Sequence, residues 1–259
     1  MMKSYKVGII GGGAMGGALA EGLLLKNLFD PSDIIISNPH TDKLSHLSAH
    51  GVKVTQSNIE VAQSSELLVI AVKPWKVKEV VEEINNFLNG YVKEIAFIVA
   101  GIAGQELLSI LPEGTTASIV MPNTALSTCQ SMTFIVPLYG CPERALEVFG
   151  NLGETLTIEE HLLPAATALA SCGIAYAMRY VRAATEGGVE LGFKAKDAQE
   201  IIVQTLEGAI SLLKRPQSHP ETEIDKVTTP GGITIKGLNT MEKYGFSTAV
   251  IEGLKASRK

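Results

Sequence analysis

The sequence has little cysteine, three residues in 259. Cys129, Cys141 and Cys172 are odd in number and show no CxxC spacing, which excludes a disulfide framework and gives no zinc pattern. The histidines, His40, His46, His50, His161 and His219, also lack ligand spacing, so no metal site is expected. There is no Lys/Arg run or basic stripe interleaved with aromatics, and the net charge is -5, so the electrostatic footprint of a nucleic-acid binder is missing. The most apolar stretches, Leu67–Val72 and Ile95–Ile102, fall far short of the roughly 20 residues that cross a bilayer. Met1–Lys6 lacks the basic segment, apolar stretch and small-residue cleavage site of a secretory signal. These absences point to a cytoplasmic chain that engages neither nucleic acid nor membrane.

What is present is a globular composition, 46% hydrophobic and 19% charged with 25 glycines, long enough for one large domain or two ordinary ones. Up to about Ile158, short β-branched runs alternate with helical segments: Val7–Ile10, Ile34–Ile36, Leu67–Val72, Ala96–Val99 and Ser118–Val120. That alternation is the mark of βαβ units, and runs that are continuously apolar suit strands covered on both faces. After about Glu159 the β-type runs stop, and Leu162–Leu213 carries Ala, Leu, Glu and Gly at helical spacing. The expected fold is an α/β Rossmann-type domain over 1–158 followed by an all-helical domain over 159–259. The alanine- and glycine-rich helix faces of the second half invite burial against another subunit. Pro216–Pro220 breaks that helical stretch, and helical spacing resumes over Ile235–Leu254 before a basic tail, Lys255–Lys259.

Gly11, Gly13 and Gly16 stand at G-x-G-x-x-G spacing between the strand Val7–Ile10 and a helical stretch, Ala18–Lys26. In that context the first glycine makes the tight turn, the second lets backbone approach a pyrophosphate, and the third allows close helix-to-strand packing. The helix N-terminus offers free N–H groups and a positive dipole to the phosphates. The turn from Gly11 through Ala14 and Met15 to Gly16 is therefore a dinucleotide-binding candidate. An NAD site usually carries a carboxylate about 20 residues on, at the end of the second strand. Here Ile36 is followed by Ser37-Asn38-Pro39-His40-Thr41-Asp42-Lys43. Ser37, Asn38 and Thr41 as donors and Lys43 as counter-charge would accept a 2′-phosphate, which favours NADP. The alternative is a solvated loop in which Asp42 binds the ribose of NAD.

Three further loops follow strands, where ligands bind in open α/β sheets. They are Ala71-Val72-Lys73-Pro74, Ala100-Gly101-Ile102 and Met121-Pro122-Asn123-Thr124. Lys73 is either a solvated charge or a cofactor contact, and Asn123 offers an amide near the expected nicotinamide. A second glycine loop, Thr228-Thr229-Pro230-Gly231-Gly232-Ile233-Thr234, precedes a helix. It reads as a capped turn or as a carboxylate site built on a helix N-terminus.

These motifs together resemble the pyrroline-5-carboxylate reductases, over essentially the whole chain. The likeness rests on Gly11–Met15, Ala71–Pro74, Ala100–Ile102, Met121–Thr124, Ala175-Tyr176 and, most specifically, Thr229–Thr234 followed by Gly245-Phe246. It implies a Rossmann domain followed by an all-helical dimerisation domain, and reduction of a cyclic imine to proline by NADPH. It further implies that Thr228–Thr234 receives the substrate carboxylate through the N–H groups of Gly231 and Gly232 and the hydroxyl of Thr229. Thr234 then contacts the ring nitrogen as the catalytic residue, while Asn123 and the Lys73-Pro74 loop lie along the nicotinamide and its ribose. The active site forms between the first domain of one subunit and helices of its dimer mate, in a homodimer or a larger homo-oligomer of dimers.

The chain departs from the family pattern at Ile119-Val120, at Ala125 and at Ser171-Cys172-Gly173-Ile174, all near the expected substrate. Other readings are a reductase of a related cyclic imine, a 3-hydroxyacid-type dehydrogenase, or a non-catalytic dinucleotide-binding regulator. The dehydrogenase class normally needs a lysine on the first long helix of the second domain. Ala165–Glu186 holds Arg179 and Arg182 but no lysine.

Overall fold

The computed structural model describes residues 4–88 and 92–258. Lys259, the last residue of the basic tail, lies outside them, as do the first three residues of Met1–Lys6. One compact unit runs to Ser171 and a second starts at Cys172.

The first unit contains β1 (Tyr5–Ile10), α1 (Ala14–Lys26), β2 (Ile34–Ser37), α2 (Ser45–Ala49), β3 (Lys53–Thr55), α3 (Asn58–Ser64), β4 (Ser65–Ile70), α4 (Val77–Ile84) and β5 (Glu94–Phe97). It continues with α5 (Gly104–Ser109), β6 (Ala117–Met121), β7 (Ser131–Tyr139), α6 (Glu143–Gly150), β8 (Gly153–Thr157) and α7 (Leu163–Ala166). The strands form one sheet in the order β3-β2-β1-β4-β5-β6-β7-β8, parallel from β3 to β6. The doubly wound order leaves a crevice at the carboxyl ends beside β1, where the winding reverses.

Side chains of successive strand residues point to opposite faces, and each face has its own core. Val7, Ile9, Ile34, Ile36, Leu67 and Val69 join Leu19 and Leu23 of α1 on one side. Ile10, Ile35, Leu68 and Ile70 join Val61 of α3 and Val81 and Ile84 of α4 on the other. That is why these strands read as unbroken apolar runs: both faces are covered. Burying each such side chain stabilises the fold by about 1.5–3 kcal/mol.

Three strands depart from the parallel pattern that the sequence suggests or escape it altogether. β7 is antiparallel to β6, because the 3-10 turn Thr124–Thr128 replaces a crossover helix and the chain reverses. Its alternation is interrupted by Pro137, which lies opposite Ser118 beside a register shift. β8 follows β7 in parallel at the sheet edge, and only Gly153 and Thr155 of its five residues are even half-buried. β3 is three residues long with no buried side chain.

The second unit is helical: after a π-helical segment, Thr167–Cys172, come α8 (Gly173–Glu190), α9 (Ala195–Leu213), α10 (Pro220–Lys226), α11 (Ile233–Lys243) and α12 (Phe246–Ala256). α8 and α9 approach closely, since a Cβ on Gly188 would lie 2.8 Å from that of Ala198. Ala198 is the sole buried residue among the described residues of this unit. By length and composition alone, the helical run Glu160–Glu190, which holds an 18-residue window of mean hydropathy 1.3, is apolar enough to cross a membrane. Inspection of unbroken apolar stretches misses it, because its apolar residues are spaced among Thr, Ser, Gly and two arginines.

Candidate active site

The glycine turn begins where β1 ends. Gly11 has φ +105°, and a Cβ there would lie 2.6 Å from the Ala71 carbonyl oxygen. A Cβ on Gly16 would lie 2.0 Å from the Gly11 carbonyl oxygen, so α1 can sit this close to the turn only with glycine at that position. Gly13 is different, for nothing stands within 4 Å of where its Cβ would point. It is the N-cap of α1, without a side-chain cap and without an acidic residue in the first turn. The N–H groups of Ala14, Met15 and Gly16 precede the first intrahelical acceptor, the Gly13 carbonyl that receives Gly17 N–H at 2.8 Å. An open space in front of bare N–H donors and a positive dipole fits a pyrophosphate.

The loop after β2 carries no carboxylate at Ser37 or Asn38, and Asp42 is exposed further along it. Of the expected donors, Ser37 is fully buried, and its hydroxyl donates to Asn58 Oδ1 at 2.8 Å. Asn58 Nδ2 in turn donates to Glu83 Oε2 at 2.8 Å. The Ser37 side chain therefore braces the strand end and faces no open space. Asn38 and Thr41 are half-buried, with the Asn38 amide donating to the His40 carbonyl at 2.9 Å. Asn58 is a neighbour of this loop that sequence reasoning missed; its signal was the capping Ser57, whose hydroxyl accepts Glu60 N–H at 3.1 Å.

At the end of β4, Ala71 N–H donates to the Ile10 carbonyl at 2.8 Å, which holds this loop against the glycine turn. Val72 is half-buried, Lys73 exposed and Pro74 half-buried. Ala100 and Gly101 are exposed after β5, and no atom stands within 4 Å of a Cβ on Gly101. After β6, Asn123 is buried. Its Oδ1 accepts Ala125 N–H at 3.1 Å, and its Nδ2 donates to the Ala170 carbonyl at 3.5 Å. The first unit thus brings the loops after β1, β2, β4, β5 and β6 to one end of the sheet.

The second glycine loop belongs to the second unit. Gly231 has φ +72° and open space around it. Gly232 caps α11, which has no side-chain cap and no acidic residue in its first turn. Its N–H donates to the Thr229 carbonyl at 2.9 Å, tightening the turn. Thr228 donates to the Asp225 carbonyl at 3.2 Å. Thr229 and Thr234 are exposed. Nearby, the Lys226 ammonium hydrogen-bonded to Glu223 at 2.7 Å holds that carboxyl below the usual range.

Two further carboxylates with displaced pKa values sit at the opposite, amino-terminal end of the sheet. Burial pushes Glu94 up, although it accepts Arg144 N–H and Ala145 N–H at 2.9 Å each. Glu66 is held down by its hydrogen bond from Lys6 at 3.0 Å and by Arg144 at 2.7 Å. Neither takes part in the site.

Two family models match the chain: one described as pyrroline-5-carboxylate reductase dimerisation over residues 160–259, and one as NADP oxidoreductase, coenzyme F420-dependent, over residues 6–92. A pyrroline-5-carboxylate reductase 2 of Dictyostelium discoideum is 37% identical, covering 99% of this chain and 92% of its own length. Among solved structures, pyrroline carboxylate reductase of Plasmodium falciparum with NADP bound superposes with a TM-score of 0.88 at 24% identity, covering 99% of this chain and 97% of that one. A pyrroline-5-carboxylate reductase of Coxiella burnetii gives 0.86 at 26% identity, covering 98% and 96%.

Proposed function

The chain belongs to the pyrroline-5-carboxylate reductase family, and we propose that it reduces 1-pyrroline-5-carboxylate to proline with NADPH, the last step of proline biosynthesis, in the cytoplasm. The observation that carries the reading is the pair of bare helix N-termini behind glycine loops, one at Gly13 and one at Gly232. A reductase of this kind needs one anion site for the cofactor pyrophosphate and one for the substrate carboxylate.

Bound NADPH supplies the hydride. The N–H groups of Ala14, Met15 and Gly16 hold the pyrophosphate, with Gly13 leaving the room. Asn38, Thr41 and Lys43 border the 2′-phosphate, and the missing carboxylate at Ser37-Asn38 favours NADPH over NADH. Ala100, Gly101 and Asn123 border the crevice on its far side, with Asn123 at the nicotinamide. The N–H groups of Gly231 and Gly232 and the hydroxyl of Thr229 bind the carboxylate, and the Thr234 hydroxyl contacts the ring nitrogen. With an iminium already electrophilic, holding the imine carbon against the nicotinamide at a near-attack distance of about 3–3.5 Å is the main task of the protein. That explains a site without an acid–base pair.

The helical part, taken as 159–259 against a cofactor domain of 1–158, is the dimerisation domain. Its apolar side chains, Met178, Ile201 and Ile251 among them, stand exposed, Ala198 being the one buried residue among those described after Ala168, and a second copy supplies the missing cover. Each active site then joins the first domain of one subunit to helices of the other. Following NADPH consumption with 1-pyrroline-5-carboxylate, with its six-membered-ring homologue and with NADH in place of NADPH tests the reading. Turnover preferring the five-membered ring and NADPH supports it, and cofactor binding without turnover contradicts it.

A further inference from the structure

Trp75 is the one tryptophan of the chain, and it stands 75% exposed, an unusual setting for a large aromatic surface. It sits in the 3-10 turn Pro74–Lys76 that follows β4. This loop is a wall of the glycine turn, since a Cβ on Gly11 would lie 2.6 Å from the Ala71 carbonyl oxygen and 3.0 Å from Val72 Cγ1. The two lysines that flank Trp75 closely differ. Lys76 is paired with Glu79 at 2.7 Å, whereas Lys73 is exposed and no ion pair to it occurs among the described residues. A flat π surface beside an uncommitted cation suits a phosphate-bearing purine.

The strand order sets β4 midway, two strands from β2, whose loop borders the 2′-phosphate in the reading above, and two from β6; the exposed indole, suited to a purine, decides for the adenosine half. β1 lies between β2 and β4, so the loops after β2 and β4 flank the pyrophosphate turn on either side. Asn123, at the nicotinamide in the reading above, lies two strands beyond β4, at the end of β6. We infer that Trp75 is a cofactor-binding residue whose indole stacks on the adenine of NADPH, with Lys73 facing the phosphates of the adenosine half. This assigns the Lys73-Pro74 loop to the adenosine end, where the family resemblance implies the nicotinamide end. The inference rests on the dinucleotide reading of the Gly11 turn.

Because the chain has one tryptophan, its emission reports on Trp75 alone. Adenosine 2′,5′-bisphosphate carries the adenosine half and no nicotinamide, so a change in emission cannot come from energy transfer to a dihydronicotinamide. Titration with this nucleotide is expected to quench Trp75 and to shield it from acrylamide, with the midpoint that calorimetry gives. Trp75→Leu is expected to weaken the nucleotide about fivefold or more, and Trp75→Phe to stay within about twofold of wild type. Calorimetric binding with unchanged emission and unchanged acrylamide access overturns the inference while leaving the dinucleotide reading intact. So does emission that follows protein dilution and ignores nucleotide, which makes Trp75 a contact between copies. Absence of any nucleotide binding to wild type overturns both.

Discussion

In the proposed site, Thr234 and the three glycines of the first turn are the positions where a single substitution bears on the chemistry. Thr234 is exposed on the first turn of α11, so its replacement leaves packing untouched. Thr234→Ala should lower kcat/KM for the imine by one to two orders of magnitude, about 1.4–2.8 kcal/mol, by removing one hydrogen bond to the reacting nitrogen. NADPH affinity measured by calorimetry should not move; wild-type turnover would remove Thr234 from the mechanism. The glycines separate fold from function. Gly13→Ala meets nothing within 4 Å, so its thermal midpoint should match wild type while NADPH binding weakens about tenfold or more, as the methyl enters the phosphate space. Gly16→Ala meets the Gly11 carbonyl oxygen at 2.0 Å and should lose both stability and binding. Equal thermal midpoints for the two variants would contradict this division.

Among elements, β1, β2 and β4 were readable because cores on both faces keep every residue apolar, as at Ile34, Ile35 and Ile36. β8 was not, because Thr157 and Leu156 at the edge face solvent, and an edge strand has no apolar period to detect. β7 was hidden by Pro137, which is tolerated beside the register shift. The glycine turn was legible from spacing and context, but the burial of Ser37 was not: it depends on Asn58, far along the chain. The chain also places Glu94 where two N–H groups of α6 point at it. Burial raises its pKa, so the folded state binds its proton more tightly. The stability that Glu94 contributes is full below the ordinary glutamate pKa and is lost as pH rises through the raised value. Glu66, held low by Lys6 and Arg144, acts in the opposite sense: its contribution is present above the ordinary pKa and is lost as pH falls through the lowered value. Urea unfolding from about pH 3 to about pH 7, which reaches to both sides of the ordinary glutamate pKa, should show Glu94→Gln gaining on wild type as pH rises. Glu66→Gln should gain on wild type as pH falls, and parallel curves would refute the assignment.

At the scale of the whole molecule, the second unit has helices of good length but almost no core of its own, with Ala198 alone buried among its described residues. Spacing in the sequence showed the helices and their small-residue faces, but in the proposed dimer the residues that cover them belong to another copy, which one chain does not reveal. Val203, 41% exposed on α9, lines a groove of about 820 Å³ with Met178, Val181 and Val189 of α8. Val203→Asp should therefore shift the protein from dimer to monomer in light scattering and abolish activity together with it. A fully active monomer would dismiss the shared active site.

The central claim is hydride transfer from NADPH to the imine carbon, and isotope transfer tests it most directly. NADPH deuterated at the transferable position of the nicotinamide, incubated with 1-pyrroline-5-carboxylate and the full-length protein, should yield proline carrying deuterium at C5. Proline without the label, or cofactor bound with no proline formed, would contradict the account.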